Sequence, residues 1–254
     1  MNKYERLAEK FNNREKIIGT TMIILKSPII LQQMNRPDLD FVLLDCEHGV
    51  FDTQNSAELF LICRLLGLPV FFRAQDAEYH LIAKGIDMGA DGVMIPRTET
   101  LEQIKTAVDA LLFSPDGRKG MGGFGQFRAG EAYEDFKKTR FLLPQIESPK
   151  GIEALPKILE AYGKYINAVM IGPYDLSVMV GTPRDIRSPE MTAAIQKIFD
   201  ISNAYGKSCG IFCDDEILAR KYRDMGCNVL WTATDKDFFM RGFNEEMEGL
   251  AKIK

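Results

Sequence analysis

FVLLDCEHG, residues 41–49, is an apolar run that stops abruptly at Asp45 and His48. Three further stretches repeat its design: VFFRAQD (70–76) delivers Arg73, LLPQIESP (142–149) delivers Gln145 and Glu147, and NAVMIGPYDLS (167–177) delivers Asp175. An apolar run that ends in a polar group suits a strand buried on both faces, and a parallel sheet of such strands presents its chemistry at one rim. IIGTTMI (17–23), GVMIP (92–96), SCGIF (208–212) and NVLWTA (228–233) bring the candidate strands to eight.

Helical patterns fill the intervals. Leu59, Phe60, Ile62, Cys63 and Leu66 form one stripe, closed by Gly67 as a C′ glycine. Ser148-Pro149 and Ser188-Pro189 read as N-cap and first helical residue, and Asp214 or Asp215 should cap a helix ending at Gly226. Eight β/α alternations without a shift in composition predict a (β/α)8 TIM barrel, with residues 1–254 as one domain. An extra N-terminal helix, with Tyr4, Leu7, Ala8 and Phe11 on one face, suits a lid over the barrel bottom. A C-terminal packing helix carries Phe238, Phe239, Met240, Phe243 and Met247, either at a subunit contact or buried within the chain.

The longest interval between strands, Pro96 to Phe141, contains DGRKGMGGFGQFRAG (116–130). Gly120, Gly122 and Gly125 match G-x-G-x-x-G, but no strand precedes them and no helix follows, so the dinucleotide reading fails. A loop near the barrel mouth is expected instead, with Arg118 or Arg128 reaching substrate.

At 254 residues, 46% hydrophobic and 27% charged, the chain has the composition of an ordinary soluble protein. A net charge of −4 offers no basic footprint for nucleic acid or anionic membrane. The five cysteines are an odd number set mostly in apolar runs, and the N-terminus lacks a signal peptide's apolar centre. These features favour a cytoplasmic enzyme with a small-molecule substrate.

Glu147 and Asp175 follow the fifth and sixth strands, so a barrel sets them side by side. Two hard carboxylates without a cysteine or second histidine suit Mg2+, Mn2+ or Co2+ in an open octahedron. Structural duties, a charge at a helix N-terminus and a cap, are the alternatives for each taken singly. Asp45 and Glu47 lie close enough in sequence to His48 to hold its imidazole in one tautomer. Arg73, ending an apolar strand, needs an anion, either a protein carboxylate or a substrate. No candidate strand contains a lysine, so imine chemistry has no candidate nucleophile and carbonyl chemistry here depends on metal.

DCEHG (45–49), FRA (72–74), GADGVMIPRTET (89–100), PQIESPKGIEAL (144–155) and GPYDLSVMVGTP (172–183) together resemble the HpcH/HpaI aldolase family of metal-dependent pyruvate aldolases. The resemblance runs from about residue 17 to 240. It implies a barrel assembled as a homo-oligomer, a trimer or hexamer, with a divalent metal ion. It further implies that Glu147 and Asp175 ligate the metal and that Gln145 supports the oxo acid. Backbone amides around Gly172 and Tyr174 would bind the carboxylate, His48 helped by Asp45 would accept a proton, and Arg73 would stabilise an enolate. Asp87 matches the aspartate that acts on a neighbouring subunit's histidine. Tyr174 and Arg97 depart from the family's usual small residue and its Met or Phe.

The expected reaction is reversible cleavage of a 4-hydroxy-2-oxo acid into pyruvate and an aldehyde. Two rivals stand beside it: an acyl-CoA lyase resembling citrate-lyase β subunits, against which DCEHG argues, and a non-catalytic barrel that binds metal and oxo acid while Tyr174 blocks the aldehyde.

Overall fold

The computed structural model describes residues 2–253. Helix α1 (Lys3–Asn13) leads into strand β1 (Ile17–Met22), then α2 (Pro28–Met34), β2 (Phe41–Asp45), α3 (Thr53–Leu65) and β3 (Val70–Arg73). The alternation continues with α4 (Tyr79–Met88), β4 (Gly92–Ile95), α5 (Leu101–Leu111), β5 (Phe141–Ile146), α6 (Pro149–Tyr162) and β6 (Ala168–Ile171). It closes with α7 (Pro173–Met179), α8 (Pro189–Ala204), β7 (Ser208–Cys213), α9 (Glu216–Asp224), β8 (Val229–Thr234) and α10 (Asp235–Ala251). The strands pair in parallel in sequence order, and β8 returns to β1, giving a closed eight-stranded barrel. This is the (β/α)8 TIM barrel expected from the strand count.

Side chains pointing inward fill the barrel rather than leaving a pore. Phe41 stacks on Phe71 with ring centroids 4.9 Å apart, and Phe71 meets Phe141 at 5.2 Å. Phe11 of α1 reaches Phe141 at 5.6 Å, so the N-terminal helix closes the bottom as its apolar face predicts. Outward-facing strand residues such as Val42, Val93 and Val169 form a second cluster with the surrounding helices. The expected caps are in place. Ser148 and Ser188 accept from the amides of Gly151 and Met191, and Asp215, not Asp214, caps α9.

Two expectations about the ends and loops resolve differently. Segment 112–140 joins the C-terminus of α5 to the N-terminus of β5, so it lies at the barrel bottom, away from the rim that carries the polar strand ends. Its Arg128 pairs with buried Asp91 and with Glu131 (2.6 Å), and sits 4.1 Å from the ring centroid of Tyr4. Arg128 therefore clamps α1 and does not reach a substrate at the mouth. Helix α10 does not bury its apolar groups in this chain: Phe239 is 59% exposed, and Phe238, Met240, Phe243 and Met247 are exposed as well. The five cysteines are unbridged, and no helix among the described residues is long and apolar enough to cross a membrane.

Candidate active site

Strand register decides which polar residues meet. Ile146 pairs with Ile171, so Glu147 and Gly172, one residue further along each chain segment, come abreast at the carboxyl-terminal rim. A Cβ on Gly172 would collide with Glu147 Oε1 and approach Gln145 Nε2, so only glycine leaves room for these two side chains. Gln145 donates to Glu147 Oε1, while its own Oε1 is buried without a partner. Asp175 lies in the first turn of α7, on the same rim. Burial pushes the Glu147 carboxyl up to about 8, and the Asp175 carboxylate beside it adds to the rise.

Two neighbouring carboxylates, one of them 3% exposed, and an orphaned amide oxygen make a hard-oxygen donor set that lacks a positive charge between them. The residues present fit a divalent cation. No group of three or more His, Cys, Asp or Glu side chains that could hold a metal occurs among the described residues, so such an ion would leave coordination positions to water or substrate.

Beside this pair stands a charged hub. Asp45 and Arg73 are Cα partners across β2 and β3. Arg73 Nε lies 3.0 Å from Asp45 Oδ1 and Nη2 2.5 Å from Oδ2, a two-point contact. Asp45 Oδ1 also accepts from the backbone amides of Glu47 (3.1 Å) and His48 (3.2 Å). Asp45 is thus spent on Arg73 and on the turn, and does not hold the His48 imidazole as its sequence position suggests. The carboxylate nearest that ring is Glu47, whose Oε2 is 3.8 Å from His48 Nε2 and 3.3 Å from Arg73 Nε. Arg97 Nη2 lies 3.5 Å from the other Glu47 oxygen, so Arg97 pairs with Glu47 rather than with Glu99, which takes Lys150 at 3.0 Å. Burial raises the Glu47 pKa while Arg73, His48 and Arg97 oppose the rise.

The turn that presents His48 depends on Gly49. Its amide donates to the Asp45 carbonyl at 3.0 Å, and a Cβ there would collide with that carbonyl. His48 is left with a solvent-facing imidazole, its side chain 58% exposed. Arg97 occupies a left-handed backbone conformation (φ 44°), and its amide donates to Glu147 Oε2 at 3.2 Å. Non-glycine residues held there cost about 1–3 kcal/mol and cluster at functional sites.

A cavity of about 500 Å3 is lined by Asp45, His48, Arg73, Gln145, Gly172, Tyr174 and Asp175, and a second of about 260 Å3, which shares Asp175, is lined by Glu147 and Arg97. Asp87 stands apart. It lies in the last turn of α4, at the barrel bottom, paired with Lys119 and outside this cavity. Glu47 is the participant that sequence reasoning assigned least to; three basic partners on one carboxylate appear only once β2, β3 and the β4 rim are assembled. Phe212, Trp231 and Asp214, the last read from the sequence only as a possible helix cap, also line the larger cavity.

A family model described as HpcH/HpaI aldolase/citrate lyase matches residues 22–241. A hydroxypyruvate/pyruvate aldolase from Delftia acidovorans is 34% identical over 203 residues, covering 77% of this chain and 74% of that protein. A 5-keto-4-deoxy-D-glucarate aldolase from Salmonella arizonae is 28% identical over 223 residues, covering 86% of each. Among solved structures, an HpcH/HpaI aldolase from Desulfitobacterium hafniense superposes with a TM-score of 0.90 at 21% identity, covering 97% of this chain and 96% of that one.

Proposed function

The chain belongs to the HpcH/HpaI aldolase/citrate lyase family, and from that premise we propose that it is a metal-dependent pyruvate aldolase. It reversibly cleaves a 4-hydroxy-2-oxo acid into pyruvate and an aldehyde. The observation that carries this reading is the proximity of Glu147 and Asp175 at the rim beside the unpartnered Gln145 oxygen, with Asp175 and Gln145 also lining the cavity that holds His48 and Arg73.

Glu147 and Asp175 would hold a divalent cation such as Mg2+, Mn2+ or Co2+. When bound, that ion supplies Lewis-acid polarisation of the 2-oxo group and positive charge against the developing enolate. Gln145 supports the oxo acid, and the backbone amides around Gly172 and Tyr174, at the start of α7, receive its carboxylate. His48 accepts the proton of the 4-hydroxyl. The C3–C4 bond then breaks, C4 becomes the aldehyde carbonyl, and its electron pair passes into the three-carbon fragment as an enolate. Arg73 faces that charge with its Nη1 group, which takes no acceptor among the described residues. Proton delivery to C3 releases pyruvate.

Asp45 serves this chemistry by fixing Arg73. Asp87 lies too far round the fold to serve its own His48, which supports a homo-oligomer, trimer or hexamer, in which it approaches a neighbouring chain's site. The exposed apolar side of α10 supports the same assembly. Unbridged thiols are compatible with a reducing, cytoplasmic setting. A cavity that stays open beside Tyr174 argues against a barrel closed to the aldehyde.

Incubation with a 4-hydroxy-2-oxo acid, with and without chelator, tests the assignment through pyruvate release. Metal-dependent release is expected. Cleavage of an acyl-CoA ester without pyruvate aldolase activity would replace this reading with the lyase alternative.

A further inference from the structure

Tyr174 follows Gly172 and Pro173 and immediately precedes Asp175 in the first turn of α7, and both residues line the same cavity. The ring is 45% exposed and lines the same cavity as His48. Its hydroxyl donates to Asp214 Oδ1 at 2.6 Å, a length typical of a hydroxyl on a carboxylate. Asp214 comes from the loop after β7, and Arg241 of α10 donates to its carbonyl at 2.8 Å from the other side. Asp214 is therefore tied to two elements, its carboxylate through Oδ1 to Tyr174 and its backbone carbonyl to Arg241, and Oδ2 is bonded by neither.

The rest of this wall combines aromatic surface with balanced charges. Phe212 and Trp231 meet edge to face at 5.2 Å, and the only indole N–H is spent on Thr21 at 2.6 Å. Lys236 and Arg241 bring two positive charges to the cavity, and Asp214 and Asp237 two negative ones, so this sector has no net charge with which to select an ion. Beside these balanced charges it offers aromatic surface and the Asp214 carboxylate, fixed through Oδ1 by Tyr174. A carboxylate oxygen on the cavity wall can accept from a substrate hydroxyl.

We propose that Tyr174 and Asp214 form the aldehyde-side subsite and make this chain selective for neutral aldehydes carrying a hydroxyl, in preference to plain alkyl aldehydes or aldehydes with a second carboxylate. The inference rests on the aldolase reading and deepens it. Tyr174 is a specificity-determining residue here: its hydroxyl aims Asp214, and its ring forms the wall along which the aldehyde lies. A site that offers a carboxylate oxygen to a substrate hydroxyl favours that substrate over the analogue that lacks it.

The test is aldol addition of pyruvate to glyceraldehyde, propanal and glyoxylate, with kcat/KM measured for the wild type, Asp214→Asn and Tyr174→Phe. The wild type should prefer glyceraldehyde to propanal by about tenfold or more, the effect of one charge-assisted hydrogen bond. Asp214→Asn, which exchanges one carboxylate oxygen for an amide donor, should bring that ratio toward one, and Tyr174→Phe should lower it. A ratio unchanged in both variants, or glyoxylate ahead of both neutral aldehydes in the wild type, overturns the inference. Metal-dependent exchange of pyruvate methyl protons with deuterated solvent by the wild type separates the two layers. Its absence removes the aldolase reading itself, whereas intact exchange with an unchanged ratio removes only the subsite.

Discussion

Arg73 and Asp45 end neighbouring strands and meet in a two-point contact of 3.0 and 2.5 Å, with side chains only 11% and 3% exposed. The pair sets the plane of the guanidinium and leaves one amino group for the cavity. Burial opposes the Arg73 charge, but the Asp45 and Glu47 carboxylates outweigh it and hold the guanidinium above its ordinary pKa. A permanent cation is thereby kept ready for a developing enolate.

Arg73→Ala removes that cation and strands a buried carboxylate. Turnover should fall about 100-fold or more, as when one oxyanion-stabilising group is removed. Stability should fall by about 3 kcal/mol, the scale for breaking a buried ion pair. The double variant with Asp45→Ala should recover stability and not turnover, read by denaturant melts beside a pyruvate assay. Recovery of both would show that Arg73 acts only as a structural partner of Asp45.

The raised pKa of Glu147 carries a pH dependence for the metal-free protein. Folding holds a proton on a carboxyl whose ordinary pKa is 4.5 and whose folded value is about 8. This contribution to stability is full below the unfolded value and is lost as pH climbs through the folded one. Chelator-treated wild type should therefore lose melting temperature from about pH 5 to pH 8 relative to Glu147→Gln. Saturating Mn2+ should erase the difference, because a bound cation favours the ionised form. Parallel curves for the two metal-free proteins would contradict the assigned environment of Glu147.

Much of the barrel was legible in the sequence because parallel strands buried on both faces leave unbroken apolar runs, as in FVLLD and AVMI. Ser148 and Ser188 announced their helices by the same economy, since a cap needs a short polar side chain at one position. The glycine-rich stretch misled because composition does not tell which face a loop occupies. Its place between α5 and β5 does, and Arg128 is consumed there by Asp91 and Glu131. The Asp45–His48 link failed through register: Asp45 and Arg73 are laterally paired, a relationship that sequence spacing hides. Glu47 faces the cluster left over, and the Tyr174–Asp214 contact spans 40 positions that no local pattern relates.

Helix α10 exposes Phe239 and Phe243, whose rings stack 6.2 Å apart, on a surface with no partner among the described residues. Replacing both with Glu should shift the protein to a smaller species in light scattering. If Asp87 serves a neighbour, turnover should fall with the loss of assembly. An unchanged mass would show that α10 takes no part in association.

Under the proposed function, Glu147 and Asp175 together hold one divalent cation that engages a keto acid. Mn2+ titration by electron paramagnetic resonance, in the absence and presence of oxalate as a planar mimic of the pyruvate enolate, reads this binding at the metal itself. One Mn2+ per chain is expected for the wild type, with a spectrum altered by oxalate, and at least about tenfold weaker binding in both Glu147→Gln and Asp175→Asn. Wild-type affinity and an unchanged oxalate response in either variant would contradict it.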